Sequence, residues 1–111
     1  MDYEIRHYRD GSGCDRFQQW LEGMRDRQAR IRVLQRVNRL TTGNFGDCKP
    51  SREGVWELRI DWGPGYRVYY AQFGKTVILL LAGGDKRKQG ADIERAVKYL
   101  ADYRRRCHEE G

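Results

Sequence analysis

Arg59 and Arg67 lie on two segments in which apolar and polar residues alternate, joined by Gly63-Pro64-Gly65. Alternation of period two puts both guanidiniums on one side of a hairpin. Continuing the alternation past Ala82 brings Gly83-Gly84-Asp85-Lys86 to the same edge, so a lysine joins the two arginines. Arginine offers a fixed fork of donors to a phosphate and lysine a point charge. Such a set could also cleave RNA. A 2′-hydroxyl must lose a proton, the phosphorane gains charge and the 5′-oxygen must leave; clustered cations stabilise that charge without a metal. A lysine crowded by arginines also releases its proton more readily, which suits general acid-base work. The same spacing lets Arg59 pair with Glu57 or Asp61, and Arg67 with Asp61, so spacing alone leaves both readings open. Tyr66 and Tyr69 could stack on bases, although tyrosines on such strands more often fill a core.

Other catalytic signatures are absent: there is no GxSxG, Walker loop, GxGxxG or HExxH. The two histidines, His7 and His108, stand at opposite ends of the chain, and their spacing gives no support to a His-His ribonuclease pair. Cys14, Cys48 and Cys107 are odd in number, with no CxxC, which argues against a zinc site or a disulfide framework and suits a reducing cytosol. No cofactor is expected.

The elements that must position these residues follow from periodicity. Tyr3, Ile5 and His7 read as a first, edge strand, and Ser12 or Asp15 could cap the helix that carries Phe17, Trp20, Leu21 and Met24. A second helix shows Val33, Leu34, Val37 and Leu40 as its apolar stripe. Arg25, Arg27, Arg30, Arg32, Arg36 and Arg39 surround that stripe as a solvated face, and Gly43 stops the helix. Thr42 to Gly54 reads as irregular because of Gly43, Gly46, Pro50 and Gly54. Trp56, Leu58, Ile60 and Trp62 then form one face of a strand, with Tyr66 to Gln72 returning. Trp62 is expected opposite Tyr66, Ile60 opposite Val68, Asp61 opposite Arg67 and Arg59 opposite Tyr69. Gly74-Lys75 reads as a two-residue turn, and Thr76 to Ala82 as a strand apolar on both faces and therefore interior. Ile93, Ala96, Val97 and Leu100 mark a last helix, with Asp92 at its start and Arg104, Arg105 and Arg106 at its end. The expected fold is α+β in the order β-α-α-β-β-β-α, an antiparallel meander with helices packed on one face, as a single domain over residues 1–111.

The chain carries 22 Lys and Arg against 16 Asp and Glu, a net charge of +6, which points to a polyanionic partner. Met1-Asp2-Tyr3-Glu4 lacks the pattern of a signal peptide, and the longest apolar run, Val77 to Ala82, is too short to span a bilayer. A cytoplasmic location without membrane contact is expected. No feature specifies an oligomeric state.

Four stretches together resemble a known family: Gly54-Val55-Trp56-Glu57-Leu58-Arg59-Ile60-Asp61, Gly65-Tyr66-Arg67-Val68-Tyr69-Tyr70, the run from Ile78 through Gly83-Gly84-Asp85-Lys86-Arg87-Lys88-Gln89, and Asp92-Ile93-Glu94-Arg95-Ala96. In this order and spacing they are similar to the addiction-module killer proteins, the HigB-like, phage Gp49-like branch of the RelE/ParE toxin superfamily. The resemblance implies a RelE-like fold and a toxin encoded beside a small antitoxin, often a helix-turn-helix protein. It implies a metal-independent endoribonuclease, an mRNA interferase that cuts mRNA on the ribosome and arrests translation. Carried over residue by residue, Arg67 is the phosphate-stabilising arginine, Arg59 a basic position on the preceding strand and Lys86 the basic position after the last one. Arg87 or Lys88 shares that last role; Tyr69 stays a stacking candidate on its residue type and strand position, with no role carried over from the family. Glu57 orients Arg59 or Arg67, while Gln89 and Asp92 fit loop hydrogen bonding and helix capping. Between Asp85 and Asp92 there is no Tyr or His to act as acid or base, where several RelE-like enzymes have one. Two other classes share the scaffold: a ParE-like toxin that inhibits DNA gyrase, which has no need to gather these cations, and a non-catalytic RNA- or protein-binding domain.

Overall fold

The period-two segments pair as a sheet, but not in the expected register. A computed structural model describes residues 2–110, with side chains described through residue 108. In it, β3 (Trp56–Ile60) runs antiparallel to β4 (Tyr66–Phe73) with Ile60 opposite Tyr66, Arg59 opposite Arg67 and Glu57 opposite Tyr69. The pairing is slid by two residues because Trp62 leaves the strand. Its indole Nε1 donates to Asp26 (3.2 Å), Arg32 lies 3.9 Å over its ring, and its backbone N bonds to Ile60 O (3.1 Å). A five-residue loop therefore joins the strands, with Gly63 (φ 56°) and Gly65 (φ 86°) in the left-handed region that side chains disfavour.

β5 (Val77–Asp85) pairs antiparallel with β4, and β1 (Glu4–His7) adds to its other side in parallel, with Ile5 opposite Ile78. The β4–β5 turn has three residues rather than two, since Phe73 pairs with Val77. A further strand, β2 (Cys48–Pro50), forms inside the stretch expected to be irregular and pairs with β3, Cys48 opposite Leu58. Three residues are too few to show a period, and Pro50 is tolerated because β2 is an edge strand. The sheet order is β1-β5-β4-β3-β2. The expected order β-α-α-β-β-β-α and meander are thus not matched as stated: β3, β4 and β5 run antiparallel in succession, but within a five-stranded sheet that β2 and the parallel β1 complete. The described residues form a mixed α+β structure with that sheet and three α-helices.

Helices cover both faces of the sheet, not one. On one face α1 (Arg16–Glu22) and α2 (Arg27–Leu40) bury Phe17, Leu21, Val33, Val37 and Leu40 against Leu58, Ile60, Val68, Tyr70, Ile78 and Leu80. On the other, α3 (Gln89–Glu110) packs Ala96 and Leu100 on Tyr69, Ala71, Leu79 and Leu81. Strands apolar on both sides need both sides covered, and each fully buried leucine contributes roughly 1.5–3 kcal/mol. Asp15 and Asp26 cap α1 and α2 by accepting from Gln18 N (3.0 Å) and Ala29 N (3.2 Å). Arg36 departs from the solvated face expected of α2; it donates to Arg59 O (2.7 Å) and Phe45 O (3.1 Å) and so ties α2 to β3 and the loop before β2. Among the described residues no helix is long and apolar enough to cross a membrane.

A bulge sets the end of the sheet. Tyr69 pairs with Ala82 and Tyr70 with Leu80, leaving Leu81 extra on β5. Beyond it Gly83 and Gly84 face opposite sides. A Cβ at Gly83 would meet the Trp20 ring at 2.1 Å, and one at Gly84 would meet Asp92 Oδ2 at 2.0 Å. The glycine pair lets α1 and the start of α3 close in from both faces at the strand end that presents Lys86.

Candidate functional site

Arg59, Arg67 and Lys86 line one cleft of about 450 Å3 at this end of the sheet, with Asp47, Asp61 and the Gly63–Gly65 turn completing its walls. The two arginines stand directly opposite each other on β3 and β4, so their side chains share the α3 face. Like charges so placed repel unless each is compensated, and each is. Arg59 donates from Nε (3.0 Å) and Nη2 (2.6 Å) to one oxygen of Asp47. Both partners are largely solvated, 37% and 51% exposed, so this is a loose surface contact, and the Asp47 hydrogen bond holds the Arg59 guanidinium further above its ordinary pKa. Arg67 donates from Nε to Glu57 Oε1 (2.8 Å), with the two side chains 12% and 1% exposed. Glu57 also accepts from Gln89 Nε2 (2.7 Å), at the first residue of α3. Glu57 therefore orients Arg67 rather than Arg59, and Gln89 holds Glu57. Arg67 Nη1 contacts Tyr66 O (3.3 Å), which leaves Nη2 without a partner among the described residues.

Lys86 comes directly after β5, and its backbone N is fixed to Gly65 O (2.8 Å). A Cβ at Gly65 would lie 3.7 Å from both Lys86 Cβ and Arg67 Nη1, so the bare glycine backbone forms the floor between the two cations. The Lys86 side chain is exposed and makes no ion pair among the described residues. The cleft thus holds one fixed guanidinium, one loosely held guanidinium and one open ammonium. That set can grip a phosphodiester through paired donors and neutralise charge that develops on it. The acceptors on its walls are the carboxylates of Asp47 and Asp61.

Three expected site residues lie elsewhere. Tyr69 is wholly buried under α3 with its hydroxyl unpartnered, and burial pushes that hydroxyl well above its ordinary pKa; it is core and offers no face to a base. Arg87 pairs with Asp85 (3.1 Å) and lines a different cleft with Trp20 and Tyr66, on the α1 side. Lys88 is exposed on the short 3-10 turn Lys86–Lys88 and does not line the cleft. Successive residues of such a turn point about 120° apart, so Lys86 and its neighbours cannot share one side. Asp92 is buried at the start of α3, paired with Arg95 (2.5 Å), and burial raises its carboxyl pKa. His7 bonds Asp15 (2.7 Å) next to α1, while His108 lies near the far end of α3, so the histidines do not join the cleft. Asp47 is the wall residue that sequence reasoning missed. It lies two residues past Phe45 in the Gly-flanked stretch before β2, and only the pairing of β2 with β3 brings it beside Arg59.

Residues 19–106 match the family described as Phage derived protein Gp49-like (DUF891), a span that includes every cleft residue named above. An uncharacterized protein of Haemophilus influenzae is 45% identical over 85 residues, covering 77% of this chain and 85% of that protein. The chain therefore belongs to the Gp49-like family of phage-derived proteins, which is associated with addiction-module killer and toxin-like proteins.

Proposed function

We propose that this chain is the toxin of a type II toxin-antitoxin module, with a RelE-like fold, and that it cleaves mRNA on the ribosome without a metal. The observation that carries the reading is the convergence of Arg59 from β3, Arg67 from β4 and Lys86 from the turn after β5 on one cleft. Arg67, held by buried Glu57, is pre-aimed at a phosphate oxygen. Arg59 is free to exchange its exposed Asp47 partner for a second oxygen. Lys86 neutralises the phosphorane or protonates the departing 5′-oxygen. The neighbouring 2′-hydroxyl gives its proton to a carboxylate of the cleft wall, Asp47 or Asp61, and its oxygen attacks phosphorus as the bond to the 5′-oxygen breaks, leaving a 2′,3′-cyclic phosphate and a 5′-hydroxyl. One oriented cation of this kind is worth about 10²–10³ in rate. The ribosome supplies the remaining positioning of the message against these groups, and the cognate partner that restrains the toxin is an antitoxin.

The test is induction of the chain in bacteria and then primer extension on a reporter mRNA. New cuts that depend on translation, lost in Lys86→Ala and relieved by the antitoxin, support the reading. Intact mRNA with double-strand DNA breaks would replace it with gyrase inhibition, and unaffected growth would leave a non-catalytic binding domain.

A further inference from the structure

A second cleft, of about 510 Å3, opens on the opposite side of the same sheet end. Its walls include Trp20 and Met24 from α1 and the residues after it, and Tyr66 from the first position of β4. Trp20 and Tyr66 are half-buried, their ring centroids 6.2 Å apart at 60°. One side of the Trp20 ring is backed by the bare backbone of Gly83. Arg25 and Arg87 are exposed at the rim beside the carboxylates of Asp26 and Asp85; Arg87 is paired with Asp85 (3.1 Å), whereas Arg25 makes no ion pair among the described residues. An open aromatic corner matches an unpaired base, and Arg25 is the cation at its lip with no ion pair to break before it meets the phosphate that comes after.

The two clefts are contiguous in a specific way. Tyr66 and Asp85 pair across β4 and β5, and each adjoins residues of the first cleft: Gly65 and Arg67 flank Tyr66, and Lys86 comes after Asp85. Neighbouring Cα atoms are about 3.8 Å apart and point to opposite faces. A strand whose phosphate lies on Arg67 and Lys86 therefore reaches the aromatic corner by crossing a single sheet end.

We propose that the corner formed by Trp20, Met24 and Tyr66, with Arg25 and Arg87 at its rim, binds an unpaired nucleobase of the RNA strand next to the phosphate held by Arg59, Arg67 and Lys86. This rests on the nuclease reading of the first cleft. The corner contributes affinity and strand placement rather than chemistry, and stacking of one base is worth about ten-fold in affinity.

The experiment uses the full chain and a 2′-O-methyl hexa-adenylate, whose blocked 2′-oxygens prevent cleavage, beside an abasic hexamer of the same backbone. Anisotropy of the labelled oligomers gives affinity. A chain with Trp56→Phe and Trp62→Phe leaves Trp20 as the sole tryptophan, so quenching of its emission reports stacking. The expected result is quenching by hexa-adenylate alone, about ten-fold weaker binding of the abasic hexamer, and a similar loss on Tyr66→Leu for hexa-adenylate only. Tyr66→Leu keeps an apolar contact to Trp20 and needs no tryptophan change. Equal affinity for both oligomers, no effect of Tyr66→Leu, or no hexa-adenylate binding at all would overturn the corner. Loss of both oligomers on Lys86→Ala with no base effect removes the corner and keeps the first cleft. Base-dependent binding indifferent to Lys86→Ala keeps the corner and removes the first cleft.

Discussion

Glu57 and Arg67 form a pair whose two roles, in stability and in chemistry, separate by substitution. The Glu57 side chain is 1% exposed and that of Arg67 12%, so removing either partner leaves a charge in a poorly solvated place. Removal of one member of a buried pair costs about 3–5 kcal/mol, whereas replacing both by apolar groups is neutral or stabilising. Glu57→Leu alone strands the guanidinium and also takes the acceptor from Gln89 Nε2. Against a total of about 5–15 kcal/mol, such a loss is large but leaves a folded protein in most of that range. With a urea slope of about 2 kcal/mol per molar, the midpoint falls by roughly 1.5–2.5 M. Glu57→Leu combined with Arg67→Met is expected to return the midpoint to within about 0.5 M of the parent. If Arg67 grips the scissile phosphate, the stable double variant still loses about 10²-fold or more in cleavage of a reporter mRNA. Circular dichroism in urea and primer extension measure the two quantities on the same proteins. A double variant that is as stable as the parent and cuts as fast would refute the role given to Arg67. A double variant destabilised by the sum of the singles would refute the pair as a unit.

Asp47→Ala is expected to cost under about 1 kcal/mol in urea, as for a solvated pair, while tightening the binding of a short 2′-O-methyl RNA because Arg59 no longer has a competing carboxylate. Unchanged or weaker RNA binding would count against Arg59 as a phosphate ligand. Gly83→Ala drives a methyl into the Trp20 ring and is expected to destabilise by about 1–3 kcal/mol, read as a lower urea midpoint; no shift would show that α1 does not close on the strand as described. Tyr8 donates to Asp102 (2.6 Å) and stacks on Tyr99, and burial with that hydrogen bond raises its hydroxyl from 10.0 to about 12. Its contribution is complete below pH 10 and is lost as pH climbs toward 12, by at most about 2–3 kcal/mol. The stability gap between the parent and Tyr8→Phe should therefore narrow over that window, and a gap constant from pH 9 to 12 would contradict the assignment.

The shared face of Arg59 and Arg67 was legible in the sequence even though their register was not. Sliding a strand by two residues changes partners but keeps faces, so the displacement caused by Trp62 left both arginines on one side. Lys86 was legible because the residue next after a strand is held at that strand's end. The neighbours of Lys86 were not, because a 3-10 turn rotates Arg87 and Lys88 away in a manner that alternation cannot foresee. Tyr69 and Leu81 showed that both faces of the strands were apolar, yet nothing local said that α3 would take the second face alone. β2 was too short to carry a period, and with it went Asp47, whose place beside Arg59 exists only through a pairing distant in sequence. Local chemistry was readable where a strand repeats it. Contacts made by loops and by the choice of helix face were not.

Single-turnover cleavage of an mRNA held in the ribosome, compared between the parent chain and Lys86→Ala, tests the cleft most directly. Lys86 is exposed and unpaired among the described residues, so its removal should leave stability within about 0.5 kcal/mol. The account expects cutting by the parent and a rate about 10²–10³ lower in the variant. Equal rates in the two proteins, or an intact message with the parent, would contradict it.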